Sequence, residues 1–450
     1  MKMTLGIGAL LVLVFSLSSA RGAGGPATPL VCNVKDFQSR ASSNDTAAIQ
    51  AAVDACSGKG GLVLLPAGNY ISGTVRLGSN LTFKLEAGAT LNGVRDAGAY
   101  PLLSPPTTSS QLLNCRRALL YAEGTERLTI EGPGTIDGNG DFAPWQNVKE
   151  AERPMAIFAV QTKGLKIRQL KVRRAAMWAV VLMETENTLV STVDIDSQIG
   201  GTRDGLDLVD GRNIRVDHLS VVSEDDAICL KSGVASGLSQ VWVTSSKIGG
   251  SLVANGIKFG TASRGPLSDI HFEGIDIEHV AQAAMAIESV DGSVVDGVTF
   301  DGIKVHDTGT AFFVLLGWRG DQAKAKPGSI SNLTFRNIGG DSSRQAWGSA
   351  ISGSIIGEKS FAPSHLVFER VHLAFKADTR FASGHLPAVP PEYSGQYPDP
   401  RMWPGLPARG LFFRHVKDVR LKETTLEKLP GADARPMMIP ETTASEFDAP

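Results

Sequence analysis

The chain has 450 residues, with 44 Lys and Arg against 46 Asp and Glu, and a formal net charge of −2 at pH 7. This near balance excludes a generally basic surface of the kind that binds nucleic acid. Hydrophobic residues make up 42% of the chain, which excludes a disordered polymer, and four cysteines are too few to build the fold on disulfides.

Residues 1–23 have the features of a signal peptide rather than of a folded element. Lys2 supplies positive charge, Leu5 to Phe15 form a short apolar run, and small residues lead to cleavage after Ala20 or Ala23. The apolar run is too short to cross a membrane. We therefore expect an exported protein, secreted or periplasmic, with no membrane partner and a catalytic domain that begins at residue 24.

One helix is predicted near the start, over Asp45 to Cys56. Asp and Thr at its beginning are good N-caps, its interior is rich in Ala, and its apolar residues recur at helical spacing. We expect this helix to belong to an N-terminal cap over about residues 30–100.

The four cysteines indicate no metal centre. Cys32 and Cys56 can pair in an oxidising compartment, or both can be buried thiols, and the sequence leaves the two alternatives open. Cys115 and Cys229 lie in apolar runs and are predicted to be core thiols. No CxxC or HExxH motif is present, so a zinc site is not expected.

Short alternating segments recur through the rest of the chain at intervals of roughly 23–35 residues, a period typical of stacked units. Too few helical stretches separate them for a βαβ barrel, and no propeller-blade signature is present. We predict an all-β fold, a single-stranded right-handed parallel β-helix with an N-terminal capping helix and a Pro-rich loop over about 381–406. The segments begin at Leu128, Leu165, Thr188, Asn213, Gln240, Asp269, Gly297, Asn332 and His365.

Four stretches, in order, resemble glycoside hydrolase family 28, the polygalacturonase family. The first is the predicted N-terminal cap, which is similar to the cap of pectin-active β-helix proteins. The others are GPGTIDGNGDFAPW, from Gly132 to Trp145, a Trp-containing coil from Ala175 to Val190, and RDGLDLVDG…EDDAICLKSG, from Arg203 to Gly233. The resemblance covers about residues 30 to 340 and implies a pectic polysaccharide or oligosaccharide as substrate.

The family's catalytic motif places three carboxylates on Asp204, Asp225 and Asp226. Asp204 and Asp225 are 21 positions apart, about one solenoid turn, which predicts that they stack on one solvated face beside Asp226. Such close carboxylates repel one another, so the pKa of at least one should rise. The alternative is that these aspartates only cap turns and form a solvated corner.

The resemblance also assigns roles to these residues. Asp225 would be the general acid that protonates the leaving oxygen, while Asp204 and Asp226 would hold and deprotonate water. The family inverts the anomeric centre, which implies a separation of roughly 6.5–9.5 Å between acid and base. The reaction it implies needs no metal and no cofactor.

Two departures from the family pattern concern substrate binding. Asn255 stands where the family has His, and Asn cannot take up a proton near neutral pH. The family's Arg-Ile-Lys motif, which grips a sugar carboxylate, is replaced by Ala286, Ile287 and Glu288. We expect Asn255 to bind a carboxylate or a sugar hydroxyl, and Glu288 to bind hydroxyls of a neutral sugar.

Three other cations are candidates to replace the missing pair. Lys258 lies on a neighbouring coil, and Lys231 and Arg203 lie close to the catalytic motif in sequence. All three are predicted to contribute to substrate binding. For Lys258 the alternative is an ordinary exposed lysine.

Two other functions remain open from the sequence. A Ca²⁺-dependent polysaccharide lyase would use the acidic cluster as a cation site, with Lys or Arg as the base. A non-catalytic glycan-binding β-helix would use the same surface without turnover. Capped solenoids are commonly monomeric, so a monomer is expected.

Overall fold

The structure, a computed structural model, describes residues 30–38, 43–110, 116–141, 143–199, 201–320, 328–356, 359–392, 395–443 and 446–447. The predicted signal peptide and Cys115 lie outside the described residues. Within these ranges, no helix is long and apolar enough to cross a membrane.

The fold is a parallel β-helix. Thirty strands join one sheet whose pairings are parallel, and β26 and β27 form a separate antiparallel hairpin. The first strands are β1 Val31–Asn33, β2 Gly61–Leu65, β3 Gly68–Ser72, β4 Val75–Leu77, β5 Leu81–Leu85, β6 Ala89–Gly93, β7 Ala118–Glu123, β8 Leu128–Glu131, β9 Thr135–Asp137, β10 Met155–Val160, β11 Lys166–Arg173, β12 Val180–Met183, β13 Glu186–Ser197, β14 Leu206–Val209, β15 Gly211–Asp217 and β16 Ser220–Ser223.

The second half continues the same winding. Its strands are β17 Ile228–Lys231, β18 Leu238–Ser251, β19 Ile257–Phe259, β20 Pro266–Glu278, β21 Ala283–Ser289, β22 Val294–His306, β23 Thr310–Leu316, β24 Ser329–Ser342, β25 Ser349–Ser352, β26 Ser354–Ile356, β27 Lys359–Phe361, β28 Ser364–Phe375, β29 Leu411–Lys422, β30 Thr425–Lys428, β31 Met438–Thr443 and β32 Glu446–Phe447.

An α-helix, α1, spans Thr46–Cys56 at the N-terminal end and contacts β1, β2, β4 and β5. Its buried side, with Ile49 and Val53, follows the helical spacing of the apolar residues in the sequence. Cys56 is bonded to Cys32 of β1, which settles the pairing that the sequence left open. Short 3₁₀ turns occur at Val34–Phe37, Ala97–Ala99, Ala143–Asn147, Glu150–Glu152, Thr379–Phe381 and Pro400–Met402.

Long strands turn corners at residues with a left-handed backbone. In β13, β15 and β24 the corner is Asn187, Asn213 and Asn332, with φ of 54°, 52° and 54°. Asn is among the residues that tolerate this region, because its short side chain bonds locally. At these three positions the chain bends and still pairs with the coil below.

A column of stacked phenylalanines fills the interior. Phe272, Phe300, Phe335 and Phe368 come from consecutive coils, with ring centroids 5.0, 5.4 and 4.8 Å apart. All four are fully buried. A single coil cannot bury such side chains, so this column ties the coils together and gives the outer faces a rigid support.

One ladder of short strands carries the candidate site, and we call it the site ladder. It runs through β4, β7, β10, β12, β14, β17, β19, β21, β23, β25, β29 and β31. Its middle strands are buried on both sides, as in Val180–Met183 and Leu206–Val209. Such strands show no alternation, so the sequence reading did not identify them as strands.

Removing one ring of the phenylalanine column should destabilise the fold strongly. Phe300→Ala deletes a fully buried side chain and leaves a cavity, which costs about 3–5 kcal/mol. Val294→Ala is the matched control, since Val294 lies on the same strand but is 44% exposed. Denaturant unfolding followed by circular dichroism measures both, and an equal loss in the two variants would contradict the packing described.

Candidate active site

The outer face of the site ladder is apolar at both ends and polar in the middle. Toward the N-terminus, Phe158, Val181 and Trp178 belong to one buried apolar cluster. Toward the C-terminus, Phe313 and Trp403 belong to another, part of which comes from the Pro-rich loop. Between these clusters lie five buried residues with polar side chains or a thiol: Asp207, Cys229, Lys231, Lys258 and Glu288.

The register of the site ladder brings the aspartates together. Leu206 pairs with Ile228, and Ile228 pairs with Ile257. Two residues before each, Asp204, Asp226 and Asn255 therefore follow one another on consecutive coils. Backbone bonds confirm the alignment, since Gly205 N–H donates to the carbonyl of Asp226 at 2.9 Å and Ala227 N–H to that of Asn255 at 3.0 Å.

The predicted stacking of Asp204 on Asp225 is wrong by one residue. Leu206 and Ile228 set a coil of 22 residues here, so Asp204 stacks on Asp226. Asp225 instead lies level with Arg203, whose carbonyl accepts its N–H at 3.2 Å. The expectation of a fully solvated cluster also fails, because Asp204 and Asp226 are each only 3% exposed. Asp225 is the part-exposed member.

Lys231 binds the carboxyl groups of Asp204 and Asp207. Its Nζ lies 3.1 Å from Asp204 Oδ2 and 2.6 Å from Asp207 Oδ1. It also lies 3.6 Å from the centre of the Trp178 ring, a cation–π contact. Burial, together with the Asp207 carboxylate, raises the pKa of Asp204 well above its usual range, while Lys231 opposes the shift. The ammonium of Lys231 therefore occupies the space between two buried acids.

Lys258 lies beside the carboxyl groups of Asp226 and Glu288. It is buried, so the alternative of an ordinary exposed lysine is excluded. Its Nζ lies 3.2 Å from Asp226 Oδ2 and 3.9 Å from Glu288 Oε2, and it donates to the Tyr397 hydroxyl at 2.7 Å. Burial raises the pKa of Glu288 to about 8 against the opposing effect of Lys258.

Asn255 is committed to the carboxylate of Asp226. Its backbone N–H and its side-chain Nδ2 both donate to Asp226 Oδ1, at 3.1 and 2.9 Å. Its own Oδ1 accepts the N–H of Ala283 at 3.1 Å. An amide in this position fixes the orientation of Asp226 and cannot exchange a proton with it.

Asp225 is the part-exposed carboxyl of the cluster. Its Oδ1 accepts the N–H of Asp226 at 2.9 Å. Burial, with added repulsion from Asp204 and Asp226, raises the pKa of Asp225 to about 8, although Lys258 lowers it. At neutral pH this part-exposed carboxyl therefore keeps its proton, as a general acid requires.

Arg203 is directed away from the cluster. Its side chain is 1% exposed and donates to the carbonyl of Gly140 at 2.7 Å. Burial and the nearby Arg153 lower its pKa to about 10. The structure thus brings Asp204, Asp225, Asp226, Asn255, Lys231, Lys258 and Glu288 together, and it places the Arg203 guanidinium against Gly140.

Sequence reasoning missed three residues of the site. Asp207 is the second aspartate of the Asp-Gly-Leu-Asp motif, and its place in that motif could have identified it as a site residue. Cys229 was expected in the apolar core, but it pairs in register with Asp207 and Lys258 on the outer face, where it is a buried free thiol. Tyr397 comes from the Pro-rich loop, 139 positions from Lys258, and nothing in its local sequence indicated the contact.

The chain matches the family model of glycosyl hydrolases family 28 over residues 57–375. It is 26% identical over 253 residues to an endo-polygalacturonase of Pectobacterium carotovorum subsp. carotovorum, covering 52% of this chain and 61% of that protein. It is also 26% identical over 354 residues to a probable rhamnogalacturonase C of Aspergillus niger, covering 74% of this chain and 70% of that protein. The matches span less than two thirds of the first curated relatives.

Solved structures share the fold. An exopolygalacturonase of Thermotoga maritima superposes with a TM-score of 0.64 at 16% identity, covering 78% of this chain and 87% of that one. A family 28 exopolygalacturonase of Yersinia enterocolitica gives the same TM-score and identity, with 93% and 77% covered. The surface adhesin PfbA of Streptococcus pneumoniae gives 0.59 at 13% identity, with 91% and 93% covered.

The proton on Asp225 should make stability depend on pH. Its pKa is about 8 in the fold against 3.8 ordinarily, so the native state binds a proton that the unfolded chain loses as pH rises from about 4 to about 8. This contribution to stability is present below that window and lost across it. Asp225→Asn removes the titration, so its gain in Tm over the wild type should be larger at pH 8.5 than at pH 4. Equal shifts at both pH values would contradict the assigned proton.

Proposed function

The chain belongs to family 28 of the glycosyl hydrolases, and on that premise we propose that it is an exported enzyme that hydrolyses glycosidic bonds of a pectic polysaccharide or oligosaccharide. One observation carries the proposal. Asp225 is a part-exposed carboxyl with its pKa raised to about 8, and it adjoins carboxylates from two consecutive coils. A carboxyl that keeps its proton beside a second carboxyl group is the arrangement that glycoside hydrolysis uses.

The proposed reaction is a single displacement. Asp225 transfers its proton to the glycosidic oxygen as the bond from that oxygen to the anomeric carbon breaks. A water held by Asp204 and Asp226 gives a proton to one of them, and its oxygen bonds to the anomeric carbon from the opposite face, which inverts the configuration. Asp225 ends ionised, and the proton taken from water returns through solvent to restore it.

Lys258 and Asn255 prepare Asp226 for the role of base. The Lys258 ammonium lies 3.2 Å from Asp226 Oδ2, and two N–H donors of Asn255 fix Asp226 Oδ1. Oxygen Oδ1 is thereby committed, which leaves Oδ2, shared with Lys258, as the atom nearest to a bound water in this proposal. Asn255 thus supplies orientation where the family has a histidine.

A calcium-dependent lyase is less well supported by the cluster. Asp204, Asp207 and Cys229 have ligand atoms within 4.8 Å of one another, a spacing that suits a cation. However, Lys231 Nζ already bonds to Asp204 and Asp207 and takes the position between them. A thiol is also a poor ligand for Ca²⁺, which prefers oxygen. We therefore give the hydrolase precedence.

A non-catalytic glycan-binding protein is the other alternative. The likeness to the adhesin PfbA concerns the fold alone. A surface that only binds glycans needs no carboxyl whose pKa lies near 8, whereas a general acid does. The raised pKa of Asp225 therefore favours turnover over binding.

Asp225→Asn should abolish release of reducing ends from pectic fractions, with a loss of about 10²–10⁴-fold in kcat, the usual contribution of a positioned acid. Asp276→Asn is the control, an acid on strand β20 whose side chain is 48% exposed. The wild type should yield no ultraviolet-absorbing product and should be indifferent to chelators. Equal activity of the wild type and Asp225→Asn on every glycan tried would refute the hydrolase.

The alkaline limb of the pH–rate profile should report Asp225. Since its pKa is about 8, kcat/KM should fall tenfold per pH unit above that value as the acid loses its proton. The groups that set this value are the carboxylates of Asp204, Asp226 and Glu224, together with Lys258. Initial rates from pH 4 to pH 10 measure the limb, and a loss that begins near pH 5 would contradict the assignment.

A further inference from the structure

The two ammonium groups of the site already have acidic partners. The site has five carboxyl groups and two ammonium groups, and the ammonium groups of Lys231 and Lys258 each lie within ion-pair distance of two of those carboxyl groups. Both lysines are also nearly buried, at 7% and 4% exposed. The five carboxyl groups are those of Asp204, Asp207, Asp225, Asp226 and Glu288.

The arginines that act on this cluster from its rim have acidic partners of their own. Arg319 bonds to Asp291 at 2.6 and 2.8 Å through two of its nitrogens. Arg401 bonds to Asp399 at 2.8 Å. Within the described part of the chain, these pairs add no net positive charge to the site.

A sugar carboxylate binds well only where guanidinium or ammonium groups can be given to it. Here it would have to displace Asp226 from Lys258, or Asp204 from Lys231, and leave a buried acid without its partner. Removing one partner of a buried ion pair is strongly unfavourable.

Tyr397 offers a different kind of contact. The residue is 53% exposed, and Lys258 Nζ donates to its hydroxyl at 2.7 Å. The ring also lies 5.6 Å from the guanidinium carbon of Arg319. An aromatic ring whose hydroxyl is held in place loses little conformational entropy on binding. Its apolar face can pack against a sugar ring.

Glu288 lies on the strand next to that of Lys258, with its Oε2 3.9 Å from Lys258 Nζ. It is 1% exposed, and neither of its oxygens has a hydrogen-bond partner among the described residues. Where the family places a cation for the sugar carboxylate, this chain therefore places a buried acid. Glu288 thus supplies no cation that could bind a sugar carboxylate at that position.

We propose that the sugar bound between Asp225 and Tyr397 is uncharged, carrying hydroxyl groups and no carboxylate, so that the preferred bond lies next to a neutral sugar of a pectic chain. This inference rests on the proposed hydrolase and narrows its substrate class. It assigns to Tyr397 a sugar-binding role, and to Glu288 and Lys258 together the exclusion of a uronate from that position.

The test compares three oligosaccharides of equal length: a galacturonan, the same galacturonan with every carboxylate reduced to a primary alcohol, and a pectic oligomer in which uronates alternate with neutral sugars. Calorimetry with Asp225→Asn measures binding, and reducing-end release by the wild type measures cleavage. We expect at least one of the two oligomers that contain neutral sugars to exceed the galacturonan by about tenfold or more in affinity and kcat/KM.

A charge introduced at Tyr397 should change the preference. Tyr397→Lys adds an ammonium beside the site at an exposed position, and Tyr397→Gln removes the ring without adding charge. The ratio of galacturonan to reduced galacturonan affinity should rise about tenfold in the lysine variant relative to the glutamine variant.

The outcomes separate the two proposals. A wild type that cleaves galacturonan as well as or better than the other oligomers overturns the uncharged subsite and leaves the hydrolase standing. Tight binding of a neutral-sugar oligomer without cleavage of any supports the subsite and refutes the hydrolase. Binding of none of the three overturns the subsite.

Discussion

The in-register parallel pairing of consecutive coils is the constraint on which the site depends. Because each coil pairs its backbone with the next, residues at equivalent positions are forced into columns along the solenoid. Asp204, Asp226 and Asn255 share one such column, and Asp207, Cys229 and Lys258 share another. A slip of one residue would exchange inner and outer faces along the strand, so the apolar core fixes the position of every charged group.

This constraint concentrates acids, and the chain offsets the repulsion with two lysines from neighbouring coils. Lys231 reaches back to Asp204 and Asp207, and Lys258 reaches Asp226. Buried pairs of this kind contribute little net stability, since desolvation opposes their attraction. The phenylalanine column and the apolar clusters on either side of the site have to stabilise the fold instead. Asp225 stays outside both pairs, which leaves it the proton that the proposed chemistry needs.

Sequence alone was sufficient for the parallel β-helix, because long strands such as β18 and β20 alternate over a repeated period. It did not identify the site ladder as strands, since segments such as Leu206–Val209 are short and buried on both sides. The resemblance to the family motif pointed to Asp204, Asp225 and Asp226, but the expected stacking was one residue off, because the length of a coil is set by its corners. The contact between Lys258 and Tyr397 depends on how the Pro-rich loop crosses the face, and no local pattern encodes that path.

The titration of the Asp225 carboxyl tests the central claim most directly. Carbon-13 NMR of protein labelled at aspartate carboxyl carbons, with the Asp225→Asn spectrum for assignment, follows this group from pH 3 to pH 10. The account predicts that its signal titrates near pH 8, because burial and the carboxylates of Asp204 and Asp226 oppose its ionisation. A midpoint near the usual aspartate value of 3.8 would contradict the account.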